Sequence, residues 1–231
     1  MNAPAEWLAA FPIQPATKAV QAICQAWSEL SAQPRPEFNP ETREPALTKR
    51  LKIFIENRTA RNLGLLGLWA AEDIIGEVDP ATGALIEERR TDIVYGWNDE
   101  KHELKLVFEF KRLGRHKRYR DQYLGTDGMA RFVTGIYSRR QAVAAMVGVL
   151  LDPEPEVVPA IKAALADDKF IASLRLRMHG CTPFVQPSRL FADANFDTEH
   201  EREYGDASAN HQIWIAHIFL SFGYPTSTRR S

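Results

Sequence analysis

The sequence has little cysteine, no long apolar run and no excess of charge of either sign, and each shortage narrows what the chain can do. Its two cysteines, Cys24 and Cys181, show no CxxC spacing, which argues against a disulfide framework or a thiolate zinc site and fits a reducing compartment. The longest apolar stretch, Ala142 to Leu151, is shorter than the roughly 20 residues a bilayer-crossing helix needs. The start, MNAPAEWLAAFPIQP, lacks the basic region and apolar core of a signal peptide, so a cytoplasmic protein with no membrane association is expected. A formal net charge of −1 excludes a bulk polycation but leaves room for a local basic face. No repeat or low-complexity tract occurs. No GK[ST] follows the glycines of LGTDGM, so no nucleotide cofactor is expected.

What is there reads as an ordinary globular chain, 45% apolar and 26% charged over 231 residues, long enough for one large domain or a domain with a terminal addition. Residues 16–31 carry Val20, Ile23, Cys24, Trp27 and Leu30 at helical spacing. Pro34, Pro36 and Pro40 then end any helix, so residues 1–40 read as a helical segment with a proline-rich linker, and residues 41–231 as the main domain.

A long helix is expected from Glu41 to Leu63, with Leu47, Leu51, Phe54 and Ile55 as its apolar stripe. Three extended segments follow: LGLWAAEDI, ALIEERRTDIVYGW and ELKLVFEFKRL. The loop GEVDPATG separates the first two and the turn NDEKHE the last two. Residues 119–138 read as a helix that tolerates its glycines, and AVAAMVGVLL as a strand buried on both faces. DPEPEVVPAIKAALADDKF reads as a helix opened by prolines. PFVQPSRLFADANF and HQIWIAHIFLSF read as strands, and FDTEHEREYG as an exposed loop. The expected class is α/β, a mixed β-sheet flanked by helices, with a core over about 41–151 and a C-terminal strand extension over 152–231.

The chemistry concentrates in two strands. In LKLVFEFKRL the side chains alternate, so Leu106, Phe108 and Phe110 point one way and Val107, Glu109 and Lys111 the other. A carboxylate and an ammonium thus project side by side from one face. Asp92, in TDIVYGW, lies seventeen positions before Glu109, a distance that lets an adjacent antiparallel strand bring it alongside. Two carboxylates with a carbonyl suit Mg²⁺ or Mn²⁺, hard cations that take oxygen ligands and waters. Lys111 beside them suits the orientation of an attacking water and the stabilisation of charge on a phosphate.

Asp92 followed by Glu109-Phe110-Lys111 at the end of an apolar strand resembles the PD-(D/E)xK nuclease superfamily, the restriction-endonuclease-like fold. The order helix, three-stranded meander, helix, further strand between Glu41 and Leu151 is similar to that family's core. The resemblance implies a metal-dependent nuclease with Asp92 and Glu109 as metal ligands and Lys111 at the attacking water. It also implies supporting roles for Glu44 on the first helix and Gln122 on the helix after the lysine strand. Thr91 stands where the family's name has proline. DNA is expected ahead of RNA as substrate, a homodimer or a protein partner is compatible, and a defence or mobile-element system is the context the family suggests.

The basic run KRLGRHKRYR supplies Arg112, Arg115, Lys117, Arg118 and Arg120 as candidate phosphate contacts. Other readings stay beside these. Asp92, Glu109 and Lys111 also make sense as a salt-bridge network, and the chain as an inactive nuclease-fold subunit that binds nucleic acid or a partner. The C-terminal histidines His179, His200, His211 and His217 raise a transition-metal centre, but no HxH or HxxxH pairing occurs; a hydrogen-bonded ring is expected for His217. Cys181 near His179 lacks a nucleophile elbow and reads as structural.

Overall fold

The structure, a computed structural model, describes residues 11–79, 81–98, 103–134, 137, 141–202 and 211–225. Helix α1 (Ile13–Ser31) follows the expected stripe, with Val20, Ile23 and Trp27 buried. Helix α2 (Glu44–Phe54) starts at an extended Arg43, with Pro45 in its first turn where a missing N–H costs nothing. It runs on through a π-helical turn (Ile55–Thr59) and a last α turn (Ala60–Asn62). Then come β1 (Leu68–Val78), β2 (Leu85–Asn98) and β3 (Glu103–Leu113), α3 (Lys117–Leu124), α4 (Ala130–Val133) and β4 (Val143–Leu150). Helices α5 (Glu154–Leu165) and α6 (Asp168–Ser173) precede β5 (Phe196–Glu201) and β6 (Gln212–Leu220).

The six strands form one mixed sheet in the order β1-β2-β3-β4-β6-β5. Strands β1, β2 and β3 make an antiparallel meander, β4 lies parallel to both β3 and β6, and β5 closes the far edge antiparallel to β6. Strand β4 is buried along its whole length, as its uninterrupted apolar run requires between two neighbours and two helical layers. The faces are covered differently. Helices α1 and α2 pack on Phe108, Phe110, Val147 and Ile218, whereas α3, α4 and α5 pack on the opposite face, on Val107, Met146 and Ile215.

Helix α1 is tied to the last strand as well as to the sheet. Trp27 Nε1 donates to Ser221 O at 2.8 Å, and the N–H of Gly223 donates to Ser31 O at 2.9 Å. Phe38 and Phe222 close on the indole at 5.0 and 5.3 Å between ring centres.

Three expectations change. Strand β1 runs through Gly76 to Val78, into the expected loop GEVDPATG, and Asp79 exchanges backbone hydrogen bonds with Gly83 and Ala84, both at 2.8 Å, just before β2. Residues 119–138 are not one helix. Gly125 and Gly128 pack so closely on Asp121 O and Tyr123 O that a β-carbon would collide with backbone, and the chain turns between α3 and α4. Part of that expected helix, residues 135, 136 and 138, lies outside the described residues. PFVQPSRLFADANF forms no strand beyond a bridge at Val185; the strand is FDTEHE, read from sequence as an exposed loop and in fact buried through His200.

Strand β5 stays buried because its polar groups are satisfied by distant residues. Asp197 accepts from Ser188 Oγ at 2.6 Å and from the Arg189 N–H at 2.6 Å. On the other face Thr198 and His200 join a chain of four hydrogen bonds, with successive distances of 2.8 Å (Tyr123 Oη to His217 Nδ1), 2.9 Å (His217 Nε2 to Thr198 Oγ1), 2.7 Å (Thr198 Oγ1 to His200 Nε2) and 2.7 Å (His200 Nδ1 to Leu174 O). A carbonyl only accepts, so His200 Nδ1 carries the proton and Nε2 accepts from Thr198. Thr198 in turn accepts from His217 Nε2–H, and Tyr123 donates to His217 Nδ1. Every proton on the chain is thereby assigned, with both imidazoles neutral. These histidines serve as hydrogen-bonding core groups, as expected for His217.

Candidate functional site

Strands β2 and β3 part company where the site lies. Their ladder stops at the pair Ile93 and Phe108, while β3 continues to Leu113 alongside β4. One step beyond that last pair Asp92 faces Glu109, and Asp92 Oδ2 accepts from the Phe110 N–H at 2.7 Å. The carboxylate thus supplies the partner that the ladder no longer offers. Continuing across the sheet, Glu109 pairs with Met146, Met146 with His217 and His217 with Phe196, so one row on one face runs from the acids to the histidine chain.

Lys111 Nζ sits among the acids, 2.8 Å from Glu109 Oε1 and 3.5 Å from Glu44 Oε1, and donates to Phe110 O at 2.8 Å. Glu44, in the first turn of α2, also accepts from the Arg112 N–H through Oε2 at 3.0 Å. It bridges α2 to β3 and braces the ammonium. The structure therefore brings Asp92, Glu109, Lys111 and Glu44 together. Gln122 is exposed on α3 and makes no hydrogen bond to any of the four.

Burial sets the protonation of the site. Glu109 is 1% exposed, and desolvation together with the Asp92 charge pushes its carboxyl up to about 8. Burial also raises Asp92 and Glu44, against the pull of Lys111. For Lys111 burial works against the charge, but Glu109, Glu44 and Asp92 outweigh it and hold the ammonium protonated. Glu109 Oε1 is engaged, while Oε2 is buried with no hydrogen-bond partner. A buried carboxyl oxygen without a partner is costly, and once the Glu109 proton is lost it is an open ligand for a cation.

Asp92 and Glu109 fit a divalent cation on this observation. Among the described residues no three Asp, Glu, His or Cys side chains are grouped to hold an ion. The fit is therefore that of two carboxylates with backbone oxygen and water, the sparse oxygen set that Mg²⁺ accepts.

Two site residues escaped the sequence reading. Arg131 Nη1 lies 3.5 Å from Glu109 Oε1 and 2.6 Å from Tyr137 Oη, and Tyr137 donates to Arg90 O. A second cation thus stands beside the acid, anchored from the turn between α3 and α4 by Arg131 Nε donating to Thr126 O at 3.2 Å. Nothing in the local sequence marks Arg131; only the turn at Gly125–Gly128 brings it to the site.

The basic run divides by role. Arg112 donates to Pro40 O, and Arg115 pairs with Asp152 at 3.1 Å and Glu156 at 3.3 Å. Arg120 is half-buried, 4.0 Å from Asp121. Lys117 and Arg118 are exposed at the start of α3, with Arg118 over the Tyr119 ring at 4.8 Å. Tyr123 is a core residue, and Cys181 is exposed. No family model, curated protein or solved structure matches this chain.

Proposed function

We propose that this chain is a metal-dependent hydrolase of nucleic-acid phosphodiester bonds, built on the restriction-endonuclease-like core of the PD-(D/E)xK superfamily. The supporting topology is the helix α2, the meander β1–β3, helix α3 and the parallel strand β4. The observation that carries the reading is Glu109, a buried carboxylate with one bare oxygen, opposite Asp92 and in contact with the Lys111 ammonium.

Asp92 and Glu109 would hold Mg²⁺ or Mn²⁺, which when bound polarises a phosphate and acidifies water. Lys111, held charged by three carboxylates, orients the attacking water and offsets the negative charge that grows on the phosphate. Glu44 holds Lys111 in place, and Arg131 holds Glu109 from the other side. Lys117 and Arg118, exposed at the start of α3, supply phosphate contacts, a salt-dependent grip. DNA is the favoured substrate.

The test incubates wild type and Lys111→Ala with linear, circular and single-stranded DNA and with RNA, in Mg²⁺, Mn²⁺ or EDTA. Metal-dependent cutting that the folded variant lacks is the expected result. Equal cutting by the variant overturns the site. Binding without cutting in any metal overturns the hydrolase and leaves a binding subunit.

A further inference from the structure

The acid row continues outward by one more carboxylate. Strand β1 keeps a single register against β2 from Ala71, opposite Ile93, to Asp73, opposite Thr91, so Glu72 between them stands opposite Asp92. Resting on the reading of Asp92 and Glu109 as metal ligands, we propose that Glu72 is a positioning residue of that site, holding a water of the bound divalent cation.

Glu72 interrupts a strand that is regular on both sides. Its φ is +55°, in the left-handed region that an L-residue enters only at a cost, and it is left out of the ladder to which both neighbours belong. Glycine takes this backbone conformation freely, yet the chain has glutamate here. The strain is kept on a charged residue beside a cluster of acids.

The Glu72 side chain is exposed, and among the described residues it has neither an ion pair nor a hydrogen bond. Its charge nevertheless reaches Asp92, where it adds to the effect of burial against ionisation. An acid set beside an acid is unfavourable without a cation and favourable with one. At the inner end of the row Glu109 is 1% exposed, and its Oε2 is buried with no hydrogen-bond partner. The row therefore holds an unpartnered carboxylate at its outer end and an unpartnered oxygen at its inner end, with Asp92 between them.

Charge selects the ligand. Glu44, Glu72, Asp92 and Glu109 stand against Lys111 and Arg131, so with all four carboxyls ionised the cluster is two charges negative. One divalent cation balances it, whereas an anion alone would add to the excess. Among the described residues no three acids are grouped closely enough to hold one ion together, so Glu72 acts at one remove, through a water. Mg²⁺ suits this arrangement, because it takes one or two carboxylates and gives up its waters reluctantly. Partners of this outer kind are worth about 10- to 100-fold in metal affinity.

The experiment titrates wild type, Glu72→Gln, Glu72→Gly and Asp92→Asn with Mn²⁺ alone by calorimetry, and records thermal midpoints in EDTA. Wild type is expected to bind Mn²⁺, Asp92→Asn to lose it, and both Glu72 variants to bind about 10-fold more weakly. In EDTA the midpoint of Glu72→Gly should lie above that of Glu72→Gln, since glycine takes this φ without strain. Weak binding by the more stable variant rules out a folding defect. Unchanged affinity in Glu72→Gln overturns the proposal. So does a loss confined to Glu72→Gly, because the backbone and not the carboxylate would then matter. Mn²⁺ binding that survives Asp92→Asn, or a wild type that binds none, defeats the metal reading of the site and this inference with it. Mn²⁺ held through Asp92 and Glu72 by a protein that cuts no nucleic acid would defeat the hydrolase reading alone and leave Glu72 in its place.

Discussion

Two buried polar clusters share one row of the sheet, on either side of Met146, and they are satisfied to different degrees. In the histidine chain every donor meets an acceptor from Tyr123 to Leu174, and no charge is needed. In the acid cluster two cations, Lys111 and Arg131, crowd on one oxygen of Glu109 while the other oxygen has no partner. A closed network specifies a core, and a network with an open valence is held ready for something else. Both clusters are buried and both are made of titratable groups, yet the acid cluster keeps an oxygen without a partner.

The largest expected effect comes from the open cluster. Lys111→Ala should lower metal-dependent cutting by about 10³-fold, the scale of losing a group that stabilises charge in the transition state. It is measured as initial rate on the preferred substrate at saturating metal. A loss under tenfold would mean that Lys111 is a strut like its neighbours.

Next comes the closed cluster. Thr198→Val removes the middle link and leaves the His217 N–H and His200 Nε2 without partners, at a cost of about 3 kcal/mol. Urea unfolding checks it, with cutting by the surviving folded protein unchanged.

The pH dependence sharpens the comparison because the two clusters pull in opposite directions. Burial lowers His200 to about 4, and burial with the His200 charge puts His217 well below its usual range. The unfolded chain therefore binds protons first, and this stability, full above about pH 6.5, is lost as pH falls toward 4. Glu109 is raised, so the stability it contributes is full below about 4.5 and lost as pH rises through about 8. Glu109→Gln removes the opposing slope. Between pH 6.5 and 5 its unfolding free energy should fall with acid more steeply than wild type, by about 1.4 kcal/mol per pH unit. Parallel curves would show that Glu109 is ionised throughout.

The smallest effect is on the metal itself. A cation must displace the Glu109 proton, so Mg²⁺ should raise the thermal midpoint by about 2–4 °C at pH 8.5 and by less at pH 6. An equal rise at both values would place the ion elsewhere.

Much of this was legible in the sequence wherever a residue's environment is set by its near neighbours. Strand β3 declares itself by alternation, which also aims Glu109 and Lys111 together, and β4 by its apolar run. Glu44 is marked by its place in the first turn of a helix. Strand β5 was not legible, because FDTEHE looks like a solvated loop until Ser188, Tyr123 and Leu174 supply partners from elsewhere in the chain. Arg131 and Tyr137 escaped for the same reason: a turn made by two glycines brings them to the site, and in a 20-residue window those glycines passed for tolerated helix residues. The basic run was visible as charge, but its division into anchored and exposed cations depends on Asp152 and Glu156, 37 and 41 positions from Arg115.

The clasp between Trp27 and Ser221 joins points 194 residues apart, and it changes how the molecule carries load. Tension applied along α1 against the end of β6 meets the indole hydrogen bond, the Gly223–Ser31 bond and the interlocked rings of Phe38 and Phe222 before it reaches a strand pair. In mechanical terms the chain is a band buckled at its overlap, and the acid row sits on the far side of the sheet from the buckle.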